Sequence, residues 1–77
     1  ENKNIVLYPN PTGGVFTVSM EKLDSAEVVI FDLTGNCVHK STVSDGGQIN
    51  ISHLRKGVYF VEINDNNNVI IRKLIKQ

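Results

Sequence analysis

The sequence predicts an all-β fold, an immunoglobulin-like antiparallel β-sandwich of about seven short strands. Its apolar residues come in short runs rich in Val and Ile, which Gly, Asn, Asp and Pro separate. That pattern is typical of strands, and no segment sustains a helical period over about ten residues. The predicted strands are Ile5–Tyr8, Val15–Met20, Ala26–Asp32, Cys37–Ser44, Gln48–Ile51, Gly57–Ile63 and Val69–Lys76.

The buried face of each strand follows from the alternation of apolar and polar residues, because successive side chains point to opposite faces. Phe16, Val18 and Met20 alternate with polar residues, which predicts one buried and one exposed face. The strands Ala26–Asp32 and Gly57–Ile63 are apolar on most of both faces, so we place them at the centre of a sheet. The predicted core comprises Phe16, Val18, Val28, Ile30, Val38, Ile49, Ile51, Leu54, Tyr59, Val61, Ile63 and Ile71.

Turn-forming residues predict the connections between the strands. Asp32 begins a hairpin loop that ends at Asn36, with a positive φ expected at Gly35. The stretches Asp45-Gly46-Gly47 and 64–68 are predicted to be hairpin loops as well. Each pair of flanking strands is therefore expected to be hydrogen-bonded.

Two other connections carry stronger local signals. The segment 52–57 predicts one helical turn, with Ser52 as its cap and a left-handed Gly57 at its end. Leu54 within this turn is expected to plug one end of the sandwich. The segment Tyr8-Pro9-Asn10-Pro11 predicts an extended, unpaired kink after the first strand, because proline lacks an N–H group.

Composition excludes several classes of function. The chain has 77 residues, 8 basic and 8 acidic, and a formal net charge of zero. That length allows a single domain, 1–77, and a neutral chain lacks the basic surplus that nucleic acids require. No apolar run approaches the roughly 20 residues that span a bilayer, so no membrane span is predicted. The start at Glu1, without a signal segment, predicts a piece of a longer protein.

The residues that commonly carry chemistry form no catalytic or metal-binding pattern. Cys37 and His39 lie two apart on one strand, with no third group to orient the imidazole. With His53 they still fall short of the four ligands of a structural zinc site. The segment 64–68 is rich in oxygen ligands but lacks the Gly and Glu of an EF-hand, so a calcium loop remains the alternative to a tight turn. We predict no catalytic residue, no cofactor and no metal site.

Three segments, in this order, carry a resemblance to a known family: 7–12 (LYPNPT), 29–38 (VIFDLTGNCV) and 51–61 (ISHLRKGVYFV). They resemble the type A C-terminal sorting domain of the Bacteroidota type IX (Por) secretion system. The ending 72–77 (RKLIKQ) resembles the basic and apolar ending of those domains. The positions that match the family's motifs are Tyr8, Pro9, Asn10, Pro11, Asp32, Gly35, Leu54, Gly57 and Tyr59. Asp24-Ser25-Ala26 also resembles a short O-glycosylation motif of the same bacteria, which stays open.

The resemblance implies a non-catalytic C-terminal secretion signal that follows an N-terminal cargo domain in one polypeptide. It implies passage through the periplasm, recognition by the outer-membrane type IX translocon, and cleavage by a sortase-like surface peptidase. The cargo would then remain at the cell surface or be secreted. The alternative is an immunoglobulin-like accessory or adhesive module of a surface enzyme.

We expect the last six residues to carry much of the partner recognition. They alternate charged and apolar side chains, which favours a strand edge presented to a partner, with its charges in solvent. We therefore expect this segment to be separable from the fold. The residues concerned are Arg72, Lys73, Leu74, Ile75, Lys76 and Gln77.

Overall fold

Seven strands account for most of the chain in the computed structural model, which describes residues 5–21, 23–65 and 68–77. All seven predicted strands are confirmed, with each end within one residue of its predicted position. The described ranges contain no helix long and apolar enough to cross a membrane. The strands are β1 Ile5–Tyr8, β2 Val15–Met20, β3 Ser25–Phe31, β4 Cys37–Ser44, β5 Gly47–Asn50, β6 Gly57–Asn64 and β7 Val69–Lys76.

The strands form two antiparallel sheets that pack face to face. The smaller sheet has the order β1-β2-β5, and the larger one has the order β4-β3-β6-β7. The two strands that are apolar on both faces, β3 and β6, are central as predicted. The predicted all-β sandwich is therefore confirmed. Its strand order differs from that of constant-type immunoglobulin domains, in which the fourth strand pairs with the fifth, because here β4 pairs with β3.

The core lies between the two sheets and is filled by the inward side chains of both. Pairing of Val28 with Ile63 and of Ile30 with Val61 places four branched side chains on the inner face of the larger sheet. Burial of each such side chain stabilises the fold by about 1.5–3 kcal/mol. The core cluster is Ile5, Leu7, Phe16, Val18, Met20, Ala26, Val28, Ile30, Ile49, Ile51, Tyr59, Val61, Ile63 and Leu74.

The prediction of Ile71 as a core residue is wrong, because its side chain is 58% exposed. The even-numbered residues of β7 point inward, so Leu74 occupies the core and is fully buried. Alternation could not separate the two faces, since β7 carries apolar residues on both. Val38 and Leu54 are partly buried and pack against the core from its edge.

The connection between β4 and β5 is not the predicted hairpin, because these strands belong to different sheets. Asp45 ties the crossing to β2 by accepting a hydrogen bond from Met20 N–H at 2.7 Å. Gly46 N–H donates to Val18 C=O at 2.8 Å on the same strand. A turn rich in Gly therefore serves here to move the chain from one sheet to the other.

The connection between β6 and β7 joins two paired strands, as a hairpin requires. Asp65 N–H donates to Asn68 C=O at 3.0 Å, and Asn68 N–H donates to Asp65 Oδ1 at 2.7 Å. Residues 66 and 67 of the predicted loop, and with them part of the calcium alternative, lie outside the described residues.

The segment 52–57 is a turn and not the predicted helical turn. It has one backbone hydrogen bond to a residue three positions earlier, from Leu54 N–H to Ile51 C=O at 2.9 Å. Asn50, not Ser52, acts as the cap, since Asn50 Oδ1 accepts from both the N–H and the hydroxyl of Ser52 at 2.9 and 2.6 Å. Gly57 has φ +153°, a positive value near the extended region instead of the left-handed helical one.

The positive φ of Gly57 leads to a prediction about stability. Gly57→Ala is expected to lower the free energy of unfolding by about 1–3 kcal/mol, because residues with a Cβ rarely adopt this φ. The added Cβ would meet no atom within 4 Å, so crowding does not contribute. Gly13→Ala is the matched control, since Gly13 also has open space around it but no positive φ. Urea denaturation that gives the two variants the same midpoint would contradict this interpretation.

Candidate functional site

The outer edge of β7 is where the sequence-predicted recognition segment meets the first of the family motifs. One side of β7 is bonded to β6 along its whole length. The other side presents the backbone groups of its odd-numbered residues, and such an open edge readily pairs with other chains. Residues 10–12, which we call the covering segment, lie along the C-terminal half of this edge.

Four hydrogen bonds join the covering segment to β7 and to Gln77, which follows it. Asn10 Nδ2 donates to Lys73 C=O at 2.8 Å, and Asn10 Oδ1 accepts from Ile75 N–H at 3.0 Å. Thr12 N–H donates to Ile75 C=O and Gln77 N–H donates to Thr12 C=O, both at 2.8 Å. The amide of Asn10 thus imitates a backbone peptide group and extends the parallel bridge that Thr12 forms with Lys76.

Thr12 anchors the covering segment and is fully buried. Its hydroxyl donates to Val15 C=O at 2.8 Å and accepts from Gly14 N–H at 3.1 Å. All its polar groups are therefore paired, as burial requires. The prediction of an unpaired kink after β1 is wrong. Pro11 does lack an N–H group, but the residues on either side of it make the bonds to β7.

Sequence reasoning did not single out Thr12, although it lies inside the first motif. A signal was available in the run Thr12-Gly13-Gly14 that precedes β2. A threonine hydroxyl readily bonds to backbone groups two or three residues further along the chain. Glycine at position 14 also allows a close approach, since a Cβ there would lie 3.0 Å from that of Ser52.

Two of the six predicted recognition residues point into the sandwich. Leu74 is fully buried in the core, and Lys76 is only 9% exposed. Lys76 Nζ donates to Gln77 C=O at 3.2 Å, and the aliphatic part of the Lys76 side chain is buried in the sandwich. The expectation that the charges of this strand are all in solvent is therefore wrong for Lys76, because even-numbered residues of β7 face the other sheet.

The other four residues of the predicted segment are accessible to different degrees. Arg72 is exposed, and its Nε donates to Ile5 C=O at 3.4 Å, which connects β7 to β1 in the other sheet. Lys73 and Gln77 are exposed, and Ile75 is half-buried. The outward part of the strand is thus Lys73, Ile75 and Gln77.

The remaining motifs lie at the same end of the sandwich as the end of β7. Gly57 and Val58 at the start of β6 pair with Lys76 and Ile75. Phe31 at the end of β3 pairs with Phe60, so the loop that follows β3 emerges at this end as well. We call this region the motif end; it comprises residues 10–12, 32–36, 52–58 and 75–77.

Asp32 organises the loop 32–36, as predicted for a turn of this kind. Its Oδ1 accepts from the hydroxyl of Thr34 at 2.6 Å, from Thr34 N–H at 2.9 Å and from Asn36 N–H at 3.0 Å. Gly35, with φ +90°, donates its N–H to Asp32 C=O at 3.0 Å. The hydrogen bond from the Thr34 hydroxyl, followed by those from the backbone, lowers the pKa of Asp32 below its ordinary value.

Tyr59 anchors the loop 52–57 to the core. Its ring is buried, and its hydroxyl donates to Arg55 C=O at 2.6 Å. This is the tyrosine-corner arrangement of immunoglobulin-like sandwiches, in which a tyrosine early in the sixth strand bonds to the backbone a few residues upstream. Leu54 packs against the core from the same loop, so that Arg55 and Lys56 are directed to solvent.

Cys37 and His39 do not bond to each other through their reactive groups. Cys37 is exposed, and its Sγ lies 3.5 Å from the carbonyl oxygen of His39. The imidazole Nε2 is paired with the hydroxyl of Ser41 at 2.8 Å. Burial, and after it the charge of His53, lowers the pKa of His39. Within the described ranges no three His, Cys, Asp or Glu side chains are grouped to hold a metal ion.

The fold and the motif end define a class of domain, a small β-sandwich with no metal-binding cluster among its described residues. Its loops at the motif end are mostly exposed, and the edge of its last strand is bonded to the covering segment. Residues 6–77 match the family described as the secretion system C-terminal sorting domain. The chain therefore belongs to this family, that of the type IX secretion system, and the predicted resemblance is confirmed. A sorting domain of this kind is a signal for export to the cell surface or beyond, not a catalytic domain.

Two known proteins are similar to this chain; each alignment is 75 residues long and covers 94% of the chain. An endo-acting ulvan lyase of Formosa agariphila is 36% identical, and an ulvan lyase of Nonlabens ulvanivorans is 29% identical. The matched segment is only 14% of each of these lyases. The similarity is thus to a small part of a much larger enzyme.

The bonds of Asn10 to β7 lead to a second prediction. Asn10→Ala is expected to lower the free energy of unfolding by about 1–2 kcal/mol, because it removes two hydrogen bonds that close the edge of β7. Asn10→Asp should have a similar effect, since it keeps the acceptor for Ile75 N–H but loses the donor to Lys73 C=O. Gln48→Ala, at an exposed amide on β5, is the control. Urea midpoints of both Asn10 variants that equal the control would contradict the role of the covering segment.

The lowered pKa of Asp32 makes a pH prediction. A carboxylate whose pKa is lowered on folding stabilises the protein above the ordinary pKa of aspartate, and this contribution is lost as the pH falls through the lowered value. Asp32→Asn should therefore be less stable than the wild type at neutral pH, with a difference that shrinks below about pH 4. Urea titrations across this range measure it, with Asp24→Asn as the control for loss of one charge. A difference that does not change with pH would contradict the prediction.

Proposed function

We propose that residues 1–77 form a single sorting domain that serves as the C-terminal secretion signal of a larger cargo protein. The cargo crosses the periplasm, the outer-membrane type IX translocon recognises the domain, and a sortase-like surface peptidase then removes it. The cargo stays at the surface or is secreted. Support comes from the family match over 6–77 and from the lyases, in which a segment of this size is 14% of the protein.

The single observation that carries the mechanism is the pairing of the covering segment with β7. It makes the last strand part of the folded sandwich, so that a receptor meets a rigid surface. Binding a preorganised surface costs less conformational entropy than binding a disordered tail. We therefore propose that the translocon recognises the folded motif end together with the outward side chains of β7.

Within the last six residues the roles divide by direction. Leu74 and Lys76 face inward and support the fold, while Arg72 connects the two sheets through Ile5. The outward side chains of Lys73, Ile75 and Gln77 are the ones that a partner can contact. Recognition by this segment would then be a property of the folded strand and not of a separable peptide.

The proposal is tested by fusing the whole chain to the C-terminus of a periplasmic reporter in a host with a type IX system. We expect the reporter to appear at the cell surface or in the medium. The same fusion in a strain without the translocon is the control and should stay in the periplasm. A reporter that remains in the periplasm of the competent host, with the domain folded, would favour an accessory module and contradict the proposal.

The outward position of Lys73 leads to a further prediction in the same assay. Lys73→Glu should reduce surface reporter about tenfold while changing the free energy of unfolding by less than about 0.5 kcal/mol. Lys40→Glu is the control for charge reversal, since Lys40 is exposed on β4 at the opposite edge of the same sheet and its ion pair with Glu27 is exposed as well, so that its loss should cost little stability. Equal export of the two variants would show that the charge of Lys73 is not recognised.

A further inference from the structure

The net charge of zero hides a separation of charge between the two ends of the sandwich. The segments that connect the strands at the end opposite the motif end contain four carboxylates and one cation, Lys22. Asp45 and Asp24 are neighbours there through a backbone bond of 3.3 Å. The motif end and its border carry cations, with Asp32 as the acidic residue among them. The acidic residues are Glu21, Asp24, Asp45 and Asp65; the basic residues are Arg55, Lys56, Lys73 and Lys76.

A groove of about 290 Å³ lies at the motif end, between the loops 32–36 and 52–57. Leu33 and Thr34 line one side, and Arg55, Lys56 and Val58 line the other. Leu33 is 68% exposed, although its neighbours in the loop are polar or glycine. Asp32 and Tyr59 complete the lining, so the groove combines an accessible apolar side chain, two cations and the carboxylate of Asp32.

The cations of this groove are available to a partner. Lys40 forms an ion pair with Glu27, whereas neither Arg55 nor Lys56 forms one with a described residue. Asp32 also lines the groove, and its Oδ1 is occupied by three hydrogen bonds within its own loop. Charges that are exposed and unpaired favour association with a surface of opposite sign.

Both walls of the groove are held in place before any partner binds. Asp32 closes one loop through its side chain, and the hydroxyl of Tyr59 holds the other at Arg55 C=O. Preorganised walls reduce the entropy that binding costs. This rigidity is the reason that we assign recognition to the groove and not only a connecting role to its loops.

We propose that this groove binds an extended acidic segment of the export receptor, with Leu33 against an apolar side chain and Arg55 and Lys56 against carboxylates. The inference rests on the proposed function, because it supposes that a receptor protein recognises the sorting domain. The apolar contact at Leu33, beside only two cations, favours a peptide over a polyanion such as nucleic acid, whose binding depends on many basic contacts.

The test uses the reporter fusion with the full chain. Arg55→Glu/Lys56→Glu and, separately, Leu33→Ser should each keep the urea midpoint of the wild type, since all three side chains are exposed. Each should reduce surface reporter about tenfold or more, while Lys40→Glu exports normally. Wild-type export from folded Arg55→Glu/Lys56→Glu would overturn the groove but leave the proposed function intact. Failure of the wild-type fusion itself would overturn the proposed function.

The acidic partner is tested by selecting host mutations that restore export of Arg55→Glu/Lys56→Glu. We expect changes of Asp or Glu to Lys or Arg in one protein of the export machinery. Vesicles of phosphatidylglycerol and phosphatidylcholine test a membrane surface as the source of negative charge. Vesicle binding by the wild-type chain that Arg55→Glu/Lys56→Glu abolishes, without charge-reversing suppressors, would overturn a protein partner.

Discussion

The hydrogen bonds between the covering segment and β7 are the constraint on which the motif end of the molecule depends. A terminal edge strand with open backbone groups would fray or pair with other chains. Thr12 prevents this by using its N–H and C=O on β7 while its hydroxyl bonds within its own turn. Because Thr12 is fully buried, releasing β7 at this point would leave buried polar groups without partners. The end of the chain and its first motif are therefore coupled.

Residue alternation and turn preferences predicted much of this architecture. They failed where packing between distant segments determines the structure. The strands, the central places of β3 and β6, and the turn at Asp32 and Gly35 followed from alternation and turn preferences. The inward face of β7 did not, since both of its faces are apolar. The role of the glycines after Asp45 was also missed, because a turn into a partner strand and a turn into the other sheet use the same residues.

The candidate functional site was likewise predicted only in part, because its residues come from several segments of the chain. The order of the motifs identified the family, but their convergence at one end depends on register and sheet order. The pairing of Thr12 with β7 and the groove beside Leu33 could not be predicted, since each depends on segments far apart in the sequence. Net charge did not reveal the placement of the charges either: the neutral chain exposes Arg55 and Lys56 together in one groove. The recognition that we propose is thus a property of the folded surface, to which several motifs contribute side chains.

Amide hydrogen exchange along β7, measured by NMR on the whole chain, tests the central claim that the last strand is closed into the fold. The N–H groups of Ile75 and Gln77 are bonded to the covering segment, whereas that of Ile71 faces the uncovered part of the edge. We predict slow exchange at positions 75 and 77, comparable with the centre of β6, and fast exchange at position 71. Exchange at Ile75 and Gln77 as fast as at Ile71 would show that the tail is free, and would contradict recognition through a folded terminal strand.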